Sequence, residues 1–339
     1  MYYYGHFFGM IFFRIENCGS CVKFCRKSLI YSTTYRIVCL SAHFITIPRF
    51  IYELKSFNIN IHFTLISIFL SAIIFSFTII LMCLQIFHYK ELISLINETI
   101  ETFMDLSKIS GNSAFIGQEF PVLVSVRVLS NLAAVLLTFY NFLTQPYYIA
   151  LFKGNPSIIV AYSLVFLSWF GVRVILDFLS FGYTIAAGLY SNIGSHMDQF
   201  AQQMKEVKME KLSKFRRMQV LCVLCDRLDK CAEIYSKIFK LIKAFHRIFR
   251  FHILLMLFFE VIAIISNIQF MFVTFMSGGE ILWMTVVLVF MYSLDYAVFI
   301  IMIDLVVQRS RIPQRISWEC YFSDIDNRWD RSVSTWTFF

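Results

Sequence analysis

From Ile61 to Phe87 the chain carries no Asp, Glu, Lys or Arg, and this uninterrupted apolar run limits the possible folds more than any other feature of the sequence. A helix needs about 20 consecutive, mostly apolar residues to cross the ~30 Å hydrocarbon core of a bilayer. Further apolar runs of similar length follow, separated by segments that hold most of the lysines and arginines. Spanning β-strands would alternate over segments of about ten residues, whereas these runs are apolar on both faces. Inside hydrocarbon every backbone N–H and C=O needs an internal partner, and a helix supplies one within its own segment. The pattern predicts an all-α, multi-pass transmembrane helical bundle. Composition agrees, because 15% of the 339 residues are charged and 58% are hydrophobic, against about 25% charged in ordinary soluble domains.

Six spans are predicted, at about 29–47, 61–87, 121–142, 157–179, 251–275 and 281–307. The first is the least apolar: Arg36 and His43 sit in it among Ser and Thr residues, and it is tilted or partly interfacial. Apolar character continues past the fourth to Leu189, which predicts a helix that is long, tilted or extended beyond the bilayer. All five prolines fall at or outside span ends, so no proline kink is expected. Residues 1–27 place an apolar stretch ahead of Arg14, Lys23, Arg26 and Lys27, the reverse of a secretory signal. They read as an interfacial segment.

Between spans 2 and 3, Leu92, Leu95, Ile96, Ile100 and Phe103 recur near helical spacing and predict an amphipathic helix. The segment Tyr190–Arg250 holds thirteen Lys and Arg residues against six Asp and Glu, nearly the whole of the chain's net charge of +8. Its apolar residues return every three or four positions, predicting one or two long amphipathic helices that run into span 5. The link 276–280 reads as a tight turn with Gly278 and Gly279. The chain thus divides into a transmembrane bundle over 1–315, with a helical segment at 190–250, and a polar tail over 316–339.

Excess Lys and Arg mark the cytosolic side of a membrane protein, so the amino terminus, the 190–250 segment and the tail are assigned inside. The 88–119 connector is also inside in this scheme, yet it is net acidic and carries the sequon Asn97-Glu98-Thr99. Acidic residues weigh little in the rule, and glycan at Asn97 would overturn the arrangement. The positive charge has no soluble basic module behind it, so nucleic acid is excluded as a partner.

Charged groups inside a bilayer are costly unless they are paired, buried in the bundle or wet. Arg127, Arg173, Asp177, Glu260, Asp295 and Asp304 lie within or near the spans. Arg173 and Asp177 are four apart and can pair along one helix face, whereas Arg127, Glu260 and Asp295 need partners on other helices or water. Snorkelling toward an interface suits Asp304 and, less well, Arg127. Together Arg127, Arg173, Asp177, Glu260 and Asp295 are candidates for a polar interior or ligand path. Cys18–Cys21 and Cys222–Cys225 have C-x-x-C spacing, but the second pair lies in a helical pattern, so packed thiols are the better reading than zinc. No cofactor is implied. The sequence lacks H-E-x-x-H, G-x-S-x-G, a phosphate-binding glycine loop and a dinucleotide fingerprint, and no enzymatic activity is expected. A receptor or channel subunit fits best, with a G-protein-coupled receptor-like or transport protein as the alternative.

The inner amino terminus, the basic segment between spans 4 and 5, the short link between spans 5 and 6 and the tail Asn327-Arg328-Trp329-Asp330-Arg331-Ser332-Val333 together resemble the insect gustatory receptors, in the superfamily shared with insect odorant receptors. The stretch at 122–142 is similar in character. The resemblance implies a tastant-gated, non-selective cation channel of the sensory-neuron plasma membrane, often for bitter compounds, assembled as a homo- or hetero-tetramer. It also implies a ligand pocket in the outer half of the bundle and a cytosolic anchor built from helix extensions. Such receptors have a seventh span with a Thr-Tyr, hydrophobic run, Gln-Phe signature, and this sequence stops at Ser334-Thr335-Trp336-Thr337-Phe338-Phe339. The expectation is therefore six spans of a seven-span architecture, unable to form the pore alone.

Overall fold

The computed structural model describes residues 11–15, 21–56, 61–110, 119–144, 156–209, 213–276 and 283–311. A short antiparallel hairpin, β1 (Phe13–Ile15) and β2 (Val22–Phe24), precedes the helices α1 (Arg26–Ser56), α2 (Ile61–Phe87), α3 (Tyr89–Ser110), α4 (Glu119–Thr144), α5 (Pro156–Met209), α6 (Lys214–Met276) and α7 (Trp283–Ser310). The described chain is a multi-pass transmembrane helical bundle.

The expectation of six spans requires correction. Among the described residues five helices are long and apolar enough to cross a membrane, at Ile68–Phe87, Val122–Tyr140, Ser163–Gln203, Met218–Gln269 and Thr285–Ser310. The segment predicted as span 1 is helical, within α1, but its Arg36, His43 and hydroxyl residues dilute it below that level. Helix α1 also continues through Pro48 to Ser56, so one proline lies inside a helix. Pro121 and Pro156 sit in the first turns of α4 and α5, where the missing N–H breaks no helical bond.

Helices α5 and α6 run for 54 and 63 residues. At 1.5 Å per residue they extend about 80 and 95 Å, more than twice the hydrocarbon thickness. Much of each therefore lies outside any single crossing. Helix α6 is continuous from the basic segment into the predicted fifth span, since nothing between Lys214 and Met276 is a Pro or Gly.

The chain groups into two compact units. The first comprises 1–94, 124–180 and 247–300. It turns the usual pattern of a soluble protein inside out. Leu254, Phe258, Val261, Ile265, Ile268 and Phe272 form an exposed apolar stripe on α6, and Leu129, Leu132 and Leu136 form another on α4. Arg127, Ser130, Asn131 and Glu260, on the same two helices, are buried. That distribution suits a hydrocarbon solvent, which tolerates apolar surface and penalises polar surface. Within this unit Phe12, Leu84 and Leu92 form one buried cluster, backed by Leu29, Tyr89 and Phe249. Ala134 of α4 and Ala263 of α6 pack with Leu288 and Tyr292 of α7 in another. Ser32 Oγ of α1 donates to Gln85 Oε1 of α2 at 2.7 Å, and Arg36 Nε donates to the same oxygen at 3.2 Å.

The second unit comprises 95–123, 181–246 and 301–339. In it α5 and α6 pack through Tyr183 against Phe245 and Tyr190 against Tyr235, each with ring centroids 5.5 Å apart. Tyr235 donates to the Ser310 carbonyl at 2.7 Å, and Arg309 donates to Ser191 Oγ at 3.3 Å, which fixes the end of α7. Asp105 of α3 receives Lys108 at 3.1 Å and Lys237 of α6 at 3.3 Å. The Lys108 contact, aided by Lys237 and opposed by burial, holds the Asp105 carboxyl below its ordinary value.

Candidate functional site

The first unit brings five of the six sequence candidates together: Arg127 from α4, Arg173 and Asp177 from α5, Glu260 from α6 and Asp295 from α7. None is more than 2% exposed. Each is forced inward because its helix presents apolar residues to the outside, and the bundle interior is where a charge can meet a counter-charge.

Arg173 is the hub. Its Nη1 donates to Glu260 Oε1 at 2.7 Å, to Asp295 Oδ2 at 3.0 Å and to Asn131 Oδ1 at 3.1 Å. The guanidinium also lies over the Tyr292 ring at 4.3 Å, with Phe259 at 5.4 Å and Trp169 at 5.7 Å. Such rings attract a cation through their negative faces, and Arg, more weakly hydrated than Lys, suits the setting.

Arg127 is the second cation. Its Nη1 donates to the main-chain oxygen of Asp295 at 2.8 Å, its Nε lies 3.7 Å from Asp177 Oδ1, and Phe299 lies under it at 5.4 Å. Asn131 Nδ2 donates to Asp177 Oδ1, and Ser130 Oγ donates to Asp295 Oδ1. Two guanidinium groups thus face three carboxyl groups, a formal balance of −1 when all are ionised.

The pairing differs from the simplest reading of the spacing. Arg173 and Asp177 are four apart, yet each turns to another helix: Arg173 to Glu260 and Asp295, Asp177 to Arg127 and Asn131. The local pair would leave Glu260 and Asp295 to share Arg127, whereas crossing the contacts links four helices. Ser130, Asn131, Tyr292 and the aromatic groups around Arg173 do not emerge from a search for charges. Asn131 and Ser130 follow Arg127 by four and three residues on one face of a largely apolar helix, and that spacing was the available signal.

Asp304 does not enter this constellation: it is exposed and accepts from Gln308 Nε2 at 2.6 Å along its own helix. Asn97 sits half-buried on α3. Cys18, the 277–282 link and the tail 312–339 lie outside the described residues. Among the described residues no group of three or more His, Cys, Asp and Glu side chains is arranged to hold a metal ion.

The sequence profile of the 7tm chemosensory receptor family matches residues 1–335. The chain is also similar to gustatory receptor for bitter taste 93a of Drosophila melanogaster, 27% identical over 171 residues. That similarity covers 49% of this chain and 41% of the relative, so the matched region spans about two fifths of the relative's length.

Proposed function

This chain belongs to the 7tm chemosensory receptor family, and from that premise we propose that it is a gustatory receptor subunit of the taste-neuron plasma membrane. In this reading a small tastant, of the bitter or otherwise aversive class, opens a non-selective cation conductance. The subunit assembles with itself or with other gustatory receptor subunits as a tetramer. It is a receptor, with no catalytic step. Its amino terminus and the basic 190–250 segment face the cytosol, in keeping with the excess of Lys and Arg there.

The observation that carries the reading is the family match over nearly the whole chain. The likeness to a receptor named for bitter taste supports the choice of tastant class. The buried constellation around Arg173 supports a bundle whose helices move as linked elements, because every contact it makes to a carboxylate crosses between helices. Ligand energy delivered to one helix would be felt by its neighbours.

The test is whole-cell recording from cells expressing this chain together with other gustatory receptor subunits, against a panel of bitter compounds. The expected result is a tastant-evoked inward current that requires this chain, carries both Na⁺ and K⁺, and persists when G-protein signalling is blocked. A tastant response abolished by that block would refute the channel reading.

A further inference from the structure

We infer that the second unit carries a binding site for a small, soluble, phosphate-bearing anion, in a cleft between α3, α5 and α6. The cleft is a cavity of about 350 Å³, within the range of small-molecule sites. Lys108 of α3 and Arg227 and Lys230 of α6 line it, and no Asp or Glu is among its described lining residues. His196, Gln199 and Gln203 of α5, spaced three and four apart, line the facing side with neutral hydrogen-bonding groups. The apolar Phe200 and Leu228, 6% and 3% exposed, contribute to its wall.

Three cationic ends around one concavity select for concentrated negative charge. An arginine fork and ammonium groups match phosphate oxygens in geometry and charge. Lys108 also donates to Asp105 at 3.1 Å, so Arg227 and Lys230 supply most of the attraction. The neutral amide and imidazole groups opposite can bond ring hydroxyls or a base edge, which favours an inositol phosphate or a nucleotide over a bare ion.

The phosphate could come from a lipid headgroup or from a free molecule, and helix length favours the second. At 1.5 Å per residue, Gln199 lies roughly 30 Å along α5 from Leu179, the end of the predicted fourth span, and Lys230 roughly 32 Å along α6 from Phe251, the start of the fifth. With the crossings at those predicted span ends, on which this choice of source rests, a headgroup anchored in the leaflet does not extend that far. That the physiological ligand is cytosolic rests on the proposed orientation of residues 190–250, whereas binding itself does not.

The experiment titrates the purified full-length chain in detergent with inositol trisphosphate and with ATP, and separately with lipid vesicles containing phosphatidylinositol bisphosphate. The variant is Arg227→Gln/Lys230→Gln, at two exposed positions. The control is Lys240→Gln/Lys243→Gln, which removes the same charge from exposed positions of α6 that do not line the cleft. The expected result is saturable binding of inositol trisphosphate or ATP, weakened at least about tenfold by the cleft variant, as losing one charge-assisted contact implies, and little changed by the control. Equal weakening by both variants, binding to vesicles alone, or no saturable binding by the unaltered chain would each overturn the proposal.

Discussion

Replacing Arg173 by methionine removes the cation that two buried carboxylates share. Arg173 Nη1 lies 2.7 Å from Glu260 and 3.0 Å from Asp295, with all three side chains at 0% exposure. At an effective dielectric of about 20, each contact has a gross attraction of about 5–6 kcal/mol. Desolvation of the ions offsets much of this, so the pair adds little net stability. Breaking it is a different matter, because Glu260 and Asp295 then remain buried with Arg127 as the nearby cation. Loss of one partner from a buried pair costs about 3–5 kcal/mol, and Arg173→Met is expected in that range. Glu260→Gln keeps an acceptor oxygen for Arg173 and brings the formal balance from −1 to zero. Its expected cost is about 1 kcal/mol, that of an ordinary hydrogen bond. Arg173→Lys should fall between the two, since all three of Arg173's hydrogen bonds converge on one nitrogen. Thermal unfolding in detergent, followed with a thiol-reactive fluorophore, reads these changes, because Cys39, Cys225 and Cys231 are buried thiols that react on opening. Equal melting temperatures for Arg173→Met and the unaltered chain would refute the reasoning, as would a Glu260→Gln variant as damaged as Arg173→Met.

Gly182 on α5 has room for no side chain, since an added Cβ would stand 2.7 Å from Phe245 Cε2. Gly182→Ala gains about 1 kcal/mol of helix propensity but meets an overpacking cost of about 1–3 kcal/mol; it should lower the melting temperature alone and raise it in a Phe245→Leu background. Truncating Phe12, 3% exposed against Leu84 and Leu92, should cost about 3 kcal/mol as Phe12→Ala, measured by the same melting assay; an unchanged melting temperature would remove the hairpin from the fold's supporting structure. An epitope at the amino terminus should stain only after permeabilisation, and Asn97 should carry no glycan; staining of intact cells, or a mass shift on deglycosylation that Asn97→Gln abolishes, would reverse the assigned orientation.

The limits of helices were easiest to read where charge changes abruptly. The predicted span at 61–87 coincides with α2, because nothing charged interrupts it and charged residues resume at Lys90 and Glu91. Helix α1 was harder, since Arg36 and His43 weaken its apolar signal while Gln85 and Ser32, a long way apart in sequence, give Arg36 a buried partner group. The β1–β2 hairpin left little trace, with three residues in each strand and Arg14 opposite Lys23, a like-charge pairing that a cross-strand rule counts against. On α3 the apolar spacing that predicted an amphipathic helix ran through Leu92, Leu95 and Phe103; Leu92 and Leu95 are buried, whereas Phe103 is 39% exposed and the buried stripe continues through Thr102 and Leu106.

Which residues form the charged constellation was legible, but the wiring was not, and the solvent explains the difference. In water an apolar stripe tells which way a helix faces, whereas in hydrocarbon both sides of a helix are apolar and the stripe loses its meaning. Facing information then passes to the few polar residues. On α4 the charged and amide residues near mid-helix carry it: Arg127 and Asn131, with Ser130 beside them, share one face and are buried while Leu129 and Leu132 face outward. On α6 and α7, Glu260 and Asp295 point inward for the same reason. Distances along one helix suggest only local pairs such as Arg173 with Asp177. Charge economy across the bundle decides otherwise: Arg173 can serve two carboxylates from other helices only if Arg127 and Asn131 take Asp177.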